Sequence, residues 1–296
     1  MITKTIAIIG AGAIGRLWAH ALSKLGHNVS LIGRSPITAA NQLNVISLAS
    51  HAEHTEVSFL DKQLPKAPDL VLVTTKAYQV KEAITPFLAQ LTHCPIVLMH
   101  NGMGAADTLE LANSNNIFLA TTSQAALIKE NICHHTGQGT TMIGCYQQAS
   151  ERQGVAIAKL LDQALPPVDY VTDIQAALWK KLTINCVINP LTALHDCRNG
   201  ALAHAKFSQQ IDCIVKEISL LTDALAINLD YTTLRHLVNG VIEKTANNYS
   251  SMHQDVCYAR PTEIDYINGF IVKQAQSHNI SVPENERLWQ AIIMKG

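Results

Sequence analysis

The stretch Thr5-Ile-Ala-Ile-Ile-Gly10-Ala-Gly12-Ala-Ile-Gly15, followed by the largely apolar segment Arg16–Leu25 and by Gly26, decides the fold of the amino-terminal region. Its apolar start predicts a β-strand, and the segment after the glycines predicts a helix that ends at Gly26. Three glycines at this spacing form a dinucleotide-binding fingerprint, because they permit a tight turn, close approach of the backbone to a pyrophosphate, and packing of the helix on the strand. The pyrophosphate would lie at the positive end of that helix. The predicted cofactor-binding loop is Gly10, Ala11, Gly12, Ala13, Ile14 and Gly15.

The residue that ends the next predicted strand selects the cofactor. This strand reads Asn28-Val-Ser-Leu-Ile-Gly-Arg34, and no Asp or Glu occurs in the chain before Glu53. NAD sites usually carry an acidic residue about 20 residues after the loop, where it binds the ribose 2′-hydroxyl. An arginine instead binds a 2′-phosphate through two parallel charge-assisted hydrogen bonds. We therefore predict NADPH/NADP+ as the cofactor, with Arg34 on the 2′-phosphate.

Length and composition restrict the class of protein. A chain of 296 residues is long enough for two domains. The net charge of −1 and the pI of 6.9 give no sign of binding to nucleic acid or an anionic membrane. Seven scattered cysteines without a C-x-x-C pair are typical of reduced thiols, the first strand begins too near Met1 for a signal peptide, and no apolar run reaches the about 18–20 residues of a membrane span. We expect a cytoplasmic monomer or homodimer that binds neither nucleic acid nor membrane.

The pattern of predicted elements changes near residue 172. Before it, strands and helices alternate, and short continuous apolar strands such as Leu70–Thr75 and Pro95–Met99 are typical of a doubly wound parallel sheet. After it, apolar residues recur with helical period over 173–189, 205–227, 231–248, 262–278 and 284–294. We predict an α/β fold, with a Rossmann-type NADP-binding domain over 1–172 and an all-helical substrate and catalytic domain over 173–296.

A row of polar side chains lies on the helix predicted over Ile174–Asn189. Lys181, Asn185 and Asn189 are spaced at i, i+4 and i+8, so they share one face. Asparagine is a poor residue for a helix interior, so two of them beside a lysine favour a polar ligand. The spacing is equally compatible with an ordinary solvated face. Pro190 is expected to end or kink the helix.

A second polar cluster reads Arg260-Pro-Thr-Glu263-Ile-Asp265. Pro261 suits the first position of a helix, which would place Glu263 and Asp265 in the first turn. Compensation of the helix dipole would explain Asp265 fully. Glu263 lies beside an apolar stripe and could face a cleft, and its spacing leaves both interpretations open.

Other polar positions give weaker signals. Lys76 and Gln79 follow a predicted strand at the carboxyl edge, where ligands of such sheets bind, although Lys76 could equally be a solvated loop residue. Asn101 follows another strand in an Asn-Gly turn, which its amide could simply cap. The thirteen histidines show no metal-ligand spacing with acids or cysteines, so no metal is predicted. The absence of a G-x-S-x-G elbow argues against acyl transfer.

These motifs together resemble the ketopantoate reductase (2-dehydropantoate 2-reductase) family, NADPH enzymes that make pantoate for pantothenate and coenzyme A. The likeness covers nearly the whole chain and is least evident over 36–66 and 145–172. The stretches that carry it are Gly10–Gly15, Lys76-Ala-Tyr-Gln79, His100-Asn-Gly-Met-Gly104, Leu178-Trp-Lys-Lys-Leu182, Asn185-Cys-Val-Ile-Asn-Pro-Leu-Thr192, Ser250-Ser-Met252, Glu263-Ile-Asp-Tyr-Ile-Asn-Gly269 and Val282-Pro-Glu-Asn285.

The resemblance implies a role for each matching residue. Lys181 would be the catalytic lysine and proton donor, and Glu263 the partner acid that meets cofactor and substrate. Asn101 would bridge the nicotinamide ribose and the substrate. The implied substrate-binding residues are Asn101, Lys181, Asn185, Asn189, Asn199 and Ser251. The implied cofactor residues outside the glycine loop are Arg34 and Lys76 on the 2′-phosphate, with Gln79, Asn101, Ala126 and Glu263.

Two other functions remain open at the level of sequence. One is an NADPH-dependent reductase of another small 2-oxo acid. The other is an NADPH-sensing protein without catalysis, which would typically have Lys181 or Glu263 replaced. Both residues are present in this chain.

Overall fold

The computed structural model describes residues 2–33, 41–110, 116–147 and 149–295. The chain divides into two compact units. The first extends to His100 and resumes from Ala106 to Ile174, whereas the second contains Asn101–Ala105 and everything from Gln175 onward. The short segment Asn101–Ala105 therefore belongs by its contacts to the second unit.

The first unit alternates strands and helices, as predicted. Its helices are α1 (Ala13–Lys24), α2 (Val80–Ile84) and α3 (Glu151–Ala164). Its strands are β1 (Thr5–Ile9), β2 (Asn28–Gly33), β3 (Gln42–Ile46), β4 (Ala52–Glu56), β5 (Ser58–Asp61), β6 (Leu70–Val73), β7 (Pro95–Met99), β8 (Asn116–Thr122), β9 (Ala125–Lys129), β10 (Ile132–Gly137), β11 (Thr141–Cys145) and β12 (Val168–Tyr170).

The main sheet has eight strands in the order β12-β11-β8-β7-β6-β1-β2-β5. Neighbouring strands are parallel except β8 and β11, which are antiparallel. Every residue of β6 and β7 is buried, which explains their continuous apolar sequences. Trp18 and Leu22 of α1 share one core with Phe118 of β8, and all three are fully buried. The predicted α/β fold is confirmed, with one antiparallel strand pair added.

A second sheet was not predicted. It has four strands in the order β4-β3-β10-β9, and α1 contacts all four of them. Burial alternates along β4, where Ala52, His54 and Glu56 are exposed, so the strand is not continuously apolar. The sheet also joins two stretches of chain that lie far apart in sequence, because β10 pairs with β3. Neither the alternating burial of β4 nor the pairing of strands far apart in the chain gives a strong local signal in the sequence.

The second unit is helical, as predicted. Its helices are α4 (Ile174–His195), α5 (Ser208–Ala224), α6 (Tyr231–Lys244), α7 (Ser251–Cys257), α8 (Asn268–Ser277) and α9 (Pro283–Ile293). Buried isoleucines of α5, such as Ile211, Ile214 and Ile218, form the apolar stripe expected of an amphipathic helix. Across the described parts of both units, no helix combines the length and the apolar character needed to cross a membrane.

Helix α4 does not end at Pro190 but continues to His195. Proline has no N–H to donate to the carbonyl four residues earlier, which here is that of Cys186. The side-chain Nδ2 of Asn268 donates to this carbonyl at 3.1 Å. A donor from α8 thus replaces the missing backbone donor, and the helix continues beyond Pro190.

The helix expected from Pro261 is also absent. Ile264–Tyr266 form a single turn of 3₁₀-helix, and α8 begins only at Asn268. The carbonyl of Tyr266 accepts a hydrogen bond from the backbone N–H of Met103 at 2.8 Å, so it does not join an α-helical ladder. Asp265 does not compensate a helix dipole either, because its Oδ1 accepts from the indole Nε1 of Trp289 at 2.7 Å.

Candidate active site

The glycine loop between β1 and α1 has the geometry expected of a dinucleotide-binding turn. Gly10 has φ of +115°, and a Cβ there would lie 2.8 Å from the backbone nitrogen of Thr75. A Cβ on Gly15 would lie 1.9 Å from the carbonyl oxygen of Gly10, so the helix can approach the strand only without a side chain. At Gly12 an added Cβ would meet nothing within 4 Å. The middle glycine therefore leaves an open side on which a ligand could approach the backbone.

The amino terminus of α1 is free to receive an anion. Gly12 is the N-cap residue, no side chain caps the terminus, and the first turn contains no acidic residue. The first N–H groups of a helix have no intrahelical partner, and together with the helix dipole they favour phosphate groups. The residues of this loop therefore fit the pyrophosphate of a dinucleotide.

Arg16 links this loop to the rest of the first unit through hydrogen bonds. Its Nε donates to the carbonyl of Ala11 at 3.0 Å, and its Nη1 donates to the carbonyl and the Oδ1 of Asn131 at 2.9 and 3.0 Å. The Arg16 side chain is buried, so these hydrogen bonds are partly shielded from water. Sequence analysis missed Arg16, because Asn131 is 115 residues away and no local pattern links the two.

The other predicted cofactor residues lie at strand ends of the first unit. Lys76 and Gln79 bracket the turn that follows β6, and Ala126 lies in β9. All three are partly buried. Arg34 lies outside the described residues. Contact of these four residues with a cofactor stays a prediction.

Lys181 lies on α4 beside a buried face made by Leu178, Leu182 and Cys186. Burial lowers the pKa of Lys181 to about 8, and the negative charge of Glu263 opposes this shift. An ammonium with a pKa near neutral pH is protonated in most molecules yet releases its proton readily, as a general acid requires. Lys181 is half-buried, whereas its neighbour Lys180 is exposed, and the catalytic role of Lys181 stays a prediction.

Glu263 and Asn101 meet in the second unit. The Nδ2 of Asn101 donates to the Oε2 of Glu263 at 3.3 Å, and the carboxylate is buried. Gly102 makes this approach possible: it has φ of +74°, and a Cβ there would lie 2.3 Å from the carbonyl oxygen of Tyr266. The His100-Asn-Gly-Met-Gly104 motif thus packs on the segment that follows Glu263. The structure brings Asn101, Lys181 and Glu263 together.

Asn185 and Asn189 continue the polar row from Lys181 along α4. Asn189 is buried and Asn185 is half-buried. Contacts of this pair with a substrate stay predictions.

Asn199 and Ser251 differ from that pair. The Nδ2 of Asn199 donates to the Oγ1 of Thr245 at 2.9 Å, while its buried Oδ1 has no partner among the described residues. This oxygen can accept a hydrogen bond, as from the hydroxyl group of a substrate. Ser251 is the exposed first residue of α7, and its neighbour Ser250 caps that helix by accepting from the N–H of His253 at 3.0 Å. Substrate contacts of Asn199 and Ser251 stay predictions.

One group of possible metal ligands emerges that the sequence analysis did not identify. Within the described chain, ligand atoms of Asp196, His253 and Cys257 lie within 4.8 Å of one another. His253 Nε2 and Asp196 Oδ1 form a hydrogen bond of 2.8 Å. The Cys257 sulfur is 3.8 and 3.7 Å from the two ring nitrogens, so it faces the ring rather than the lone pair of one nitrogen. The group is thus arranged as a hydrogen-bonded His253–Asp196 pair with an adjacent thiol.

A dinucleotide-type glycine loop in an α/β unit, with a half-buried lysine and a buried glutamate in a helical unit, is the arrangement expected of a nicotinamide-dependent oxidoreductase. Comparison with protein families specifies it further. Residues 6–148 match the family Ketopantoate reductase PanE/ApbA, and residues 173–296 match Ketopantoate reductase PanE/ApbA C terminal. The chain belongs to the ketopantoate reductase family.

Individual relatives agree with this family. A 2-dehydropantoate 2-reductase of Vibrio cholerae is 41% identical over 293 residues, which cover 97% of this chain and 96% of that protein. A ketopantoate reductase structure from Ralstonia eutropha JMP134 is 25% identical with a TM-score of 0.87, covering 98% of both chains. D-mandelate dehydrogenase, in a ternary structure with NADH and anilino(oxo)acetate, has a TM-score of 0.91 over 98% of both chains. At 22% identity this last likeness shows a shared fold.

Proposed function

We propose that this chain is a 2-dehydropantoate 2-reductase, which reduces the C2 carbonyl of 2-dehydropantoate to the alcohol of pantoate with NADPH. The observation that carries the proposal is the half-buried Lys181, whose pKa is lowered by burial to about 8 and raised by the charge of the buried Glu263. Membership of the ketopantoate reductase family and the 41% identical 2-dehydropantoate 2-reductase support the choice of substrate.

The chemistry can be assigned to the chain's own residues. When bound, NADPH supplies the hydride that adds to C2. Negative charge then develops on the carbonyl oxygen, and the Lys181 ammonium stabilises this charge and donates its proton to that oxygen. Glu263 keeps the ammonium in place and opposes loss of its proton. The products are a neutral lysine and a secondary alcohol, and the lysine regains its proton from solvent.

The remaining polar residues would orient the substrate without adding charge. We assign Asn185, Asn189, Asn199 and Ser251 to the hydroxyl and carboxylate of the substrate. Asn185 and Asn189 lie in register with Lys181 on one face of α4, so a single ligand could reach all three. Neutral donors leave the field of the ammonium uncompensated at the reacting carbonyl, where it is needed.

The choice of NADPH over NADH is supported by the position of the first acidic residue. Glu53 lies in β4, where its carboxylate pairs with Lys24 at 2.5 Å and with the His20 ring at 3.2 Å. Because these two partners occupy the Glu53 carboxylate, Glu53 is not the acid expected to bind a ribose 2′-hydroxyl. With no acid before Glu53, Arg34 remains the residue proposed to recognise the 2′-phosphate.

A substrate comparison tests the proposal. Oxidation of NADPH is followed by its absorbance with 2-dehydropantoate, pyruvate and 2-oxoisovalerate, and NADH is run in parallel. We expect the highest kcat/KM with 2-dehydropantoate and NADPH. Preference for another of these acids would make the protein a reductase of that acid. Binding of NADPH without turnover of any of them would indicate the sensor function instead.

A further inference from the structure

The carbonyl of Cys186 has no backbone donor within α4, so another element must supply its hydrogen bond. Pro190 has no N–H for it, and the proline ring displaces the carbonyl four residues earlier from the helical ladder. Cys186 itself is fully buried, so water cannot take the place of the missing donor. This turn lies between Asn185 and Asn189, the two amides assigned to the substrate.

Asn268 supplies the missing donor. It is the first residue of α8 and is fully buried. Its Nδ2 donates one hydrogen to the Cys186 carbonyl at 3.1 Å and the other to the Oδ1 of Asn285 at 3.0 Å. The two hydrogens of one amide group therefore link α4 to α9.

The orientation of this amide is determined by its neighbours. The Glu217 carboxylate accepts from the backbone N–H groups of Glu284 and Asn285, at 2.8 and 2.9 Å, and from Asn285 Nδ2 at 2.7 Å. The Glu217 oxygen that accepts from the backbone N–H of Asn285 also accepts from its side chain, so Asn285 turns its nitrogen toward Glu217 and its oxygen toward Asn268. Asn268 must then present nitrogen to Asn285, and the second hydrogen of this nitrogen points to Cys186.

We propose that Asn268 is a positioning residue for the reduction, which acts through the Cys186 carbonyl to hold the turn of α4 that carries Asn185 and Asn189. This inference rests on the proposed function. Asn268 contacts neither of the two asparagines through its side-chain hydrogen bonds; its effect reaches the substrate through the backbone of α4. A misplacement of about 1 Å in such a site can lower the rate about 100-fold.

The chain offers a rescue experiment for this role. Asn268→Leu keeps the branching and volume of the side chain but removes the donor, and Asn268→Ala serves as a second variant. In each background, Pro190→Ala restores a backbone N–H that can donate to the Cys186 carbonyl. We expect each single Asn268 variant to lower kcat/KM for the 2-oxo acid about 10- to 100-fold with an unchanged KM for NADPH. The added Pro190→Ala should recover most of this loss.

Pro190→Ala alone is the control and should remain close to wild type. Hydrogen exchange provides a readout independent of the substrate: amides of residues 191–195 should exchange faster in the Asn268 variants and return to normal in the double variants. Unchanged kinetics and exchange in the Asn268 variants, or losses that Pro190→Ala does not reverse, would overturn the inference. Failure of the wild-type protein to reduce 2-dehydropantoate would instead refute the proposed function, and exchange would still decide the role of Asn268.

Discussion

Lys181 is the residue on which the proposed chemistry depends most. Desolvation lowers its pKa to about 8, because burial disfavours the charged form. Glu263 limits this shift, so the ammonium survives at neutral pH. A lysine on a solvated helix face would keep a pKa above 10 and would be a much weaker proton donor. Partial burial near one acid thus distinguishes Lys181 from the exposed Lys180 next to it.

The pH dependence of both reaction directions follows from this pKa. Reduction needs the protonated amine, so kcat/KM for the 2-oxo acid should be flat below pH 8 and fall above it, with an apparent pKa of about 8. Oxidation of pantoate with NADP+ needs the neutral amine as a base, so its rate should rise through the same pH. Initial rates measured from pH 6 to pH 10 check both directions. Parallel profiles in the two directions would contradict the assignment.

Removal of the amine tests the same residue directly. Lys181→Ala should lower kcat by about 10²–10⁴, the usual size of a general-acid contribution, while NADPH binding survives. Lys180→Ala is the matched control, since it removes an exposed lysine from the next position of the same helix. Equal kcat in the two variants would exclude Lys181 as the proton donor. Fluorescence titration with NADPH separates loss of chemistry from loss of cofactor.

Helix α1 and its glycine loop form an element whose shape depends on Arg16. Charge-assisted hydrogen bonds contribute about 1.5–3 kcal/mol each, and Arg16 uses one of them to hold the loop carbonyl of Ala11. Arg16→Leu should therefore raise the Kd of NADPH about tenfold, since the loop would no longer be held in its binding conformation. Lys24→Ala, an exposed change on the same helix, should leave the Kd unchanged. An unaltered Kd in Arg16→Leu would show that the loop keeps its shape without the guanidinium.

Helix α4 is stabilised at its carboxyl end by the last described residue of the chain. The ammonium of Lys295 donates to the carbonyls of Ala193 and Leu194, at 2.8 and 3.3 Å. A cation at a helix carboxyl terminus contributes about 0.3–1 kcal/mol at the surface. Lys295→Ala should lower the free energy of unfolding by this amount, and Lys295→Arg should largely preserve it. Urea unfolding checks this against Lys273→Ala, an exposed lysine of α8; equal stability of the two alanine variants would contradict the role.

Across the whole molecule, features encoded by short sequence patterns could be predicted, whereas features that depend on contacts between distant residues could not. The spacing of the glycines in the loop is a local sequence pattern, and so is the i, i+4, i+8 spacing of Lys181, Asn185 and Asn189. Both could therefore be predicted from the sequence. The contacts that complete each unit join residues far apart, such as Arg16 with Asn131 and Cys186 with Asn268. A single buried amide or guanidinium has no periodicity, and its partner can be anywhere in the chain. The 3₁₀ turn after Glu263 was missed for the same reason, because Met103 determines it.

Cofactor selectivity should be visible in the stability of the whole molecule. A ligand that binds only the folded protein adds about 2.7 kcal/mol of stability at 100 times its Kd, and less at lower saturation. At equal concentrations NADPH should therefore raise the Tm more than NADH does. Arg34→Ala should remove this difference by weakening NADPH alone, since NADH has no 2′-phosphate for the guanidinium to bind. If the variant loses the stabilisation by both cofactors equally, Arg34 supports the fold of the site rather than reading the phosphate.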